Sequence, residues 1–354
     1  MKIRIALLSS GSDYHRRLSA VLQARYSQEI EIYMFSEFEP ALPVIQESRV
    51  EILLADEDCP VDAERLPRRC TLIYLSDIQG IASVQGHPAI FRYQNVEQIY
   101  KQMLGIYAEN AGALPGSRIG SEDGARLIVF SSPAGGVGTT TLAAACAQYF
   151  ANHGSRTLYV NLETYGSADL FFSGTGQFDL SDVIYTIKSK KGNLPLKLES
   201  CVKMDPNGVN YFSPPKIALD LTELKPEEYV ELLKVLESMG KFDYVILDAD
   251  FSIREDRLSL YRQAHCWVMV TDGTPSANQK TSRAYKSLTI REQNTDVPLM
   301  NRIFLAYNRF TSRSSAYLTE VKLEELGTAP GVANAGQKQV IETLAGLSWF
   351  ERLR

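Results

Sequence analysis

The chain has 354 residues, more than one hydrophobic core usually organises, so two domains are expected. Apolar residues make up 45% and charged residues 22%, a globular balance, and a formal net charge of −5 offers no general basic surface for nucleic acid. Five scattered cysteines (Cys59, Cys70, Cys146, Cys201, Cys266) form no C-x-x-C pair, which argues against a disulfide framework and a structural zinc; no run approaches the ~18 apolar residues of a membrane span.

In chain order, short apolar runs predict strands at Ile3–Leu8, Ile30–Met34, Ile52–Ala55, Leu72–Leu75 and Ala89–Tyr93. Helical stretches fall at Arg16–Ala24 and Val96–Tyr107. Lys2 and Arg4 interrupt the first run, which alternates like a strand and lacks the continuous core of a signal peptide. About five βα units predict a flavodoxin-like parallel sheet over residues 1–110. This pattern resembles the receiver domain of response regulators. The resemblance puts Asp56 at the phosphoacceptor position, Ser76 at that of the small hydroxyl and Arg92 near that of the lysine. Ser9, Ser10 and Gly11 stand where paired acids would hold Mg²⁺, so phosphoryl transfer to Asp56 loses its main electrostatic support. A degenerate receiver used for docking or dimerisation is expected.

Residues 111–124, AGALPGSRIGSEDG, have the composition of a linker. The second domain is expected over 125–354. It opens with a buried strand (Leu127, Ile128, Val129, Phe130), a turn through Gly135, Gly136, Val137 and Gly138, and then Thr139, Thr140 and Thr141. Leu142, Ala145, Cys146, Tyr149 and Phe150 recur at helical spacing, and Gly154 falls at the C-cap. Strand, glycine turn and helix aim backbone N–H groups and a helix terminus at an anion. A phosphate loop ordinarily ends G-K-[ST], but Thr139 holds the lysine position; Thr140 keeps the hydroxyl suited to Mg²⁺. The bland alternative is a tight βα turn.

Further strands are expected at Thr157–Asn161, Val209–Ser213, Tyr244–Asp248, Cys266–Thr271 and Ile303–Asn308, with a helix over Glu227–Met239. The fold class is therefore α/β, two doubly wound parallel sheets: a flavodoxin-like receiver domain and a P-loop NTPase domain. Ligands in such sheets bind at the carboxyl ends of strands. Asp248 ends one strand and suits metal coordination, or caps the following turn. Asn161 and Glu163 share one side of an extended segment; Glu163 either positions an attacking water or is a plain loop carboxylate. Asn308 carries an amide suited to an adenine edge, or serves as a turn asparagine.

These residues in this order resemble the MinD/ParA class of deviant Walker A ATPases, whose loop reads K-G-G-x-G-K-T-[ST]. Asn161 and Glu163 match the aspartates of its A′ motif, Asp248 its Walker B acid and Asn308 its adenine-recognising asparagine. The receiver-like half and the stretch NLETYGSADLFF make the chain similar to the CpaE/TadZ branch. The resemblance implies ATP and Mg²⁺ as ligands and a homodimer formed across the nucleotide face. It also implies a cytoplasmic factor at a cell pole, working with Tad (Flp-type) pilus components, including the secretion ATPase. Ala134 replaces the signature lysine, Thr139 the P-loop lysine and Asn161 the first A′ aspartate, so hydrolysis is expected to be slow or absent. Lys188, Lys190, Lys191 and Lys197 offer replacement charge or form a solvated basic run. The C-terminal apolar series Val340, Ile341, Leu344, Leu347, Trp349, Phe350 and Leu353 reads as a packed helix rather than a membrane anchor, which keeps any membrane association peripheral. Rival readings are a ParA-type partition ATPase acting on DNA, which lacks a basic stripe, and a response-regulator-like signalling adaptor, which lacks the acid pair.

Overall fold

Two sheets organise the chain in a computed structural model that describes residues 2–11, 13–110, 124–293 and 298–354. The chain divides into one compact unit of Met1–Ser117 with Ser189–Cys201 and another of Arg118–Lys188 with Val202–Arg354. Apart from Gly124, the expected linker lies outside the described residues.

The first unit runs β1 (Ile3–Leu8), α1 (Asp13–Tyr26), β2 (Ile30–Phe35), α2 (Phe38–Glu47), β3 (Ile52–Asp56), β4 (Thr71–Ser76), β5 (Ser83–Val84), β6 (His87–Phe91) and α3 (Val96–Asn110). The sheet order is β2-β1-β3-β4-β6-β5, parallel except for the β5–β6 pair. The five expected βα units are corrected, because helices follow only β1, β2 and β6. A 3₁₀ turn at Ala63–Arg65 joins β3 to β4, and a short antiparallel strand precedes β6. Pro60 and Pro67 break the first connection, and Gly80 and Gly86, at φ +88° and +79°, turn the second.

The second unit begins with β7 (Arg126–Ser131), α4 (Thr139–Asn152), β8 (Thr157–Leu162) and α5 (Leu180–Ser189). Next come α6 (Leu194–Cys201), which belongs to the first unit, then β9 (Lys203–Met204), β10 (Asn210–Tyr211), α7 (Leu219–Thr222) and α8 (Pro226–Ser238). The remainder is β11 (Tyr244–Ala249), α9 (Glu255–Gln263), β12 (Cys266–Thr271), α10 (Pro275–Gln293), β13 (Ile303–Tyr307), β14 (Glu324–Thr328) and α11 (Gln337–Leu344). The order β14-β13-β12-β7-β11-β8-β10-β9 is parallel except at β9–β10. Central β7 thus feeds a helix whose next strand lies beyond β11, while β12 and β13 build the other half. That reversal is the switch point where open α/β sheets bind ligands. Residues Leu142 to Phe150 of α4 are all buried, and its alanines allow close packing against the sheet. The C-terminal apolar residues Ile341, Leu344, Trp349, Phe350 and Leu353 join the same core, so that face is spent on packing.

In the first unit α6 lies on α3. Asn193 N–H donates to Ala108 O at 2.9 Å, Tyr100 OH to Glu199 at 3.4 Å, and Lys197 Nζ to Glu109 at 2.7 Å. Lys197 is buried (1% exposed), so it is neither a solvated lysine nor a free charge.

Candidate functional site

Buried β7 delivers the chain into the loop, and Ser132 pins its entrance. The Ser132 hydroxyl donates to Val270 O at 2.6 Å and accepts the Ala134 N–H at 3.0 Å. Ala134 itself is buried in the apolar core. Gly136 and Gly138 sit at φ +79° and +83°, a region side chains disfavour. Gly138 is the N-cap of α4 and brings no capping side chain, which leaves the helix's first N–H groups for an anion.

Asn308, at the end of β13, holds the loop from outside. Its Nδ2 donates to Val137 O at 2.8 Å and Gly138 O at 3.1 Å, and its Oδ1 accepts the Arg309 N–H at 3.0 Å. Arg309 adds a contact from Nη1 to Gly136 O at 3.1 Å. Both residues line a cavity of about 240 Å³ whose other walls include Thr141, Phe171, Pro330 and Val332. Apolar walls with a few polar groups beside an anion cradle suit a planar base attached to phosphates.

On the other side of the loop, the ends of β8 and β11 bring three polar groups together. Thr140 Oγ1 donates to Glu163 Oε2 at 3.1 Å. Asn161 Nδ2 lies 3.2 Å from both Glu163 Oε2 and Asp248 Oδ2, and its Oδ1 accepts the Glu163 N–H at 2.9 Å. The amide bridges two carboxylates that an aspartate at this position would repel. Tyr159 OH donates to Asp248 Oδ2 at 2.9 Å, while the buried Oδ1 has no hydrogen-bond partner. Burial, with Glu163 adding repulsion, pushes the Asp248 carboxyl well above the usual range. A buried carboxylate oxygen without a partner, close to a threonine hydroxyl, fits a hard divalent cation. Among the described residues no group of three or more His, Cys, Asp or Glu could hold a metal, so such an ion would complete its shell with water and phosphate oxygens.

The loop, Asn161, Glu163, Asp248 and Asn308 therefore converge, and two lysines of the run have partners of their own. Lys188 is taken by Glu228 and the Glu223 carbonyl, and Lys197 by Glu109. Two residues escaped the sequence reading. Tyr159 lies two positions before Asn161 on the same strand face, and Arg309 directly follows the asparagine that was singled out. In the first unit Asp56 is already engaged, with Arg92 Nη2 at 2.9 Å and His15 Nε2 at 3.3 Å from its Oδ1. Arg92 also binds Asp77 at 2.5 Å.

The fold of the second unit, with its glycine loop between β7 and α4, is that of the MinD/ParA P-loop proteins. It is similar to a ParA family ATPase from Chlorobium tepidum TLS, at 17% identity and TM-score 0.52, covering 65% of this chain and 96% of that one. It is also similar to the MinC:MinD cell division protein complex of Aquifex aeolicus, at 16% identity and TM-score 0.51, with 65% and 96% covered. Residues 1–108 match the family model described as TadZ-like, receiver domain. No curated protein sequence matches the chain. Among the described residues no helix is long and apolar enough to cross a membrane.

Proposed function

We propose that this chain is an ATP-binding localisation and assembly factor for a Tad (Flp-type) pilus secretion system. In this reading it pairs as a homodimer through the nucleotide-binding domain and hydrolyses ATP slowly or not at all. The TadZ-like receiver domain and the MinD/ParA fold support the class. One observation carries the mechanism: the cradle and the unpartnered Asp248 oxygen are retained while Thr139 and Ala134 stand at the lysine positions. Gly135–Thr141 would hold the phosphates through N–H groups, Thr140 and Asp248 the Mg²⁺, and the cavity beside Asn308 the base. The ion supplies charge neutralisation to the triphosphate when bound. Glu163, tied to Thr140 and Asn161, is held for a water near the loop. Without a lysine the transferring phosphoryl group lacks a stabilising charge, commonly worth ~10²–10³ in rate, so binding outlasts turnover. A ligand that favours the paired state stabilises it by mass action without being consumed.

Calorimetric titration of Mg-ATP into wild type and Thr140→Ala, with sedimentation at matched protein concentration, tests this reading. Binding by wild type, loss in the variant and ATP-dependent dimers are expected, with Thr139→Lys raising turnover. Absence of binding by wild type, or dimers equally strong without nucleotide, would refute it. For the pilus assignment, deletion of the gene should abolish pilus assembly and a fluorescent fusion should form polar foci.

A further inference from the structure

A loop that receives a triphosphate gathers several negative charges, yet Thr139 and Ala134 add no cation to it. Several basic groups of this unit are tied to carboxylates: Arg156 with Asp243, Arg257 with Asp250, Arg262 with Glu255 and Lys188 with Glu228. Arg309 has no carboxylate partner among the described residues and lies against the loop itself. Its guanidinium lies across the loop, with Nη1 3.1 Å from Gly136 O and Nη2 3.5 Å from a Cβ built on Gly138. The backbone aims it there: Arg309 sits at φ +52°, a costly conformation for a residue with a side chain, and its N–H is held by Asn308 Oδ1. It also lines the cavity beside Thr141.

We propose that Arg309 supplies, from the cavity side of the loop, the positive charge that the lysine positions withhold from a nucleoside triphosphate. This inference rests on the nucleotide reading above. The effect is through space: charge falls off slowly over the few ångströms between a loop and its ligand, though exposure to solvent and salt weakens it. Arg309 is a positioning and binding residue here, not the transferring group's catalyst. Its role also explains how the site can forgo two lysines and still attract a polyanion.

The experiment measures Kd for Mg-ATP, Mg-ADP and adenosine at low and high salt in wild type, Arg309→Ala, Arg309→Lys and the double variant Arg309→Ala/Thr139→Lys. Matching thermal unfolding without ligand verifies that the variants fold. Arg309→Ala should weaken ATP about five- to tenfold at low salt, ADP less and adenosine least. Arg309→Lys should retain most ATP binding, and the double variant should regain it. An equal loss for all three ligands would mean a packing role and overturn the charge assignment, as would unchanged ATP binding in Arg309→Ala. If wild type binds none of the three ligands, the nucleotide reading itself fails, and this assignment with it.

Discussion

A methyl group at Gly138 would stand 2.3 Å from the Nδ2 of Asn308. The glycine therefore meets two demands at once, a positive φ and the close approach of a side chain that locks the loop. Gly138→Ala should destabilise the second unit by about 1–3 kcal/mol, because the strain and the lost amide contact act together. Calorimetry should record a Tm several degrees lower together with weakened Mg-ATP binding. An unchanged Tm would mean that the loop is free to move away from Asn308.

Asp248 makes the opposite case, in which a wild-type residue costs stability. Its buried carboxyl has one oxygen without a partner and is pushed up by burial and by Glu163. Asp248→Asn takes away a group whose ionised form burial and Glu163 disfavour and keeps an oxygen for Tyr159 OH, so the ligand-free protein should be at least as stable as wild type at neutral pH. The same variant should lose the Mg²⁺ dependence of ATP binding. Unfolding in urea, with and without Mg-ATP, separates the two effects; a less stable ligand-free variant would refute the account.

The strands that carry this site were legible because buried parallel strands are continuous apolar runs. Cys266–Thr271 is observed at its expected bounds, and the polar residues closing β8 and β11 stand out against such runs. Elements under other constraints were hidden. Helix α2 contains Pro43 in its interior and Pro40 in its first turn, which mask the spacing of Phe38, Ala41, Leu42 and Ile45. Edge strand β14, EELGT, has one buried residue and no apolar run. Helix α6 has a readable apolar face, but periodicity does not say against what a face packs, and its partner α3 lies far away in sequence. For the same reason the Asn308 contacts with a loop some 170 residues earlier were beyond local pattern.

Asp56 should resist phosphorylation. Arg92 and His15 already occupy its carboxylate, and Ser9 and Ser10 offer no metal-binding acids. Intact mass after incubation with acetyl phosphate and Mg²⁺ should be unchanged. A stoichiometric increase that disappears in Asp56→Ala would establish an active receiver.

The stability of the first unit should fall as the pH drops below neutrality. His15 is buried, and burial holds its pKa below the ordinary 6.5, with Arg92 acting in the same direction and Asp56 against it. The unfolded chain then binds the proton more readily, so this contribution is complete above 6.5 and is lost as pH falls through 6.5 toward the folded value. Hydrogen exchange of peptides from β1, α1 and β3 should accelerate between about pH 7 and pH 5, and His15→Leu should flatten that slope. A slope of equal size in the variant would assign the effect to other groups.

Lys197 tests how tightly α6 is bound into the first unit. Its ammonium is buried against Glu109, a carboxylate that is itself half exposed. Truncation in Lys197→Ala removes both the ion pair and the packing of a long stem, and it should cost about 2–4 kcal/mol of local protection. Glu109 can hydrate when its partner goes, so the penalty comes mainly from the cavity. Lys197→Met fills the same volume without a buried charge and should leave protection close to wild type, or raise it. Hydrogen exchange over Val96–Asn110 in the full chain reads both variants, since α3 is the face that α6 covers. Equal losses in Lys197→Ala and Lys197→Met would show that the charge pair itself, and not the packed stem, fastens the helix.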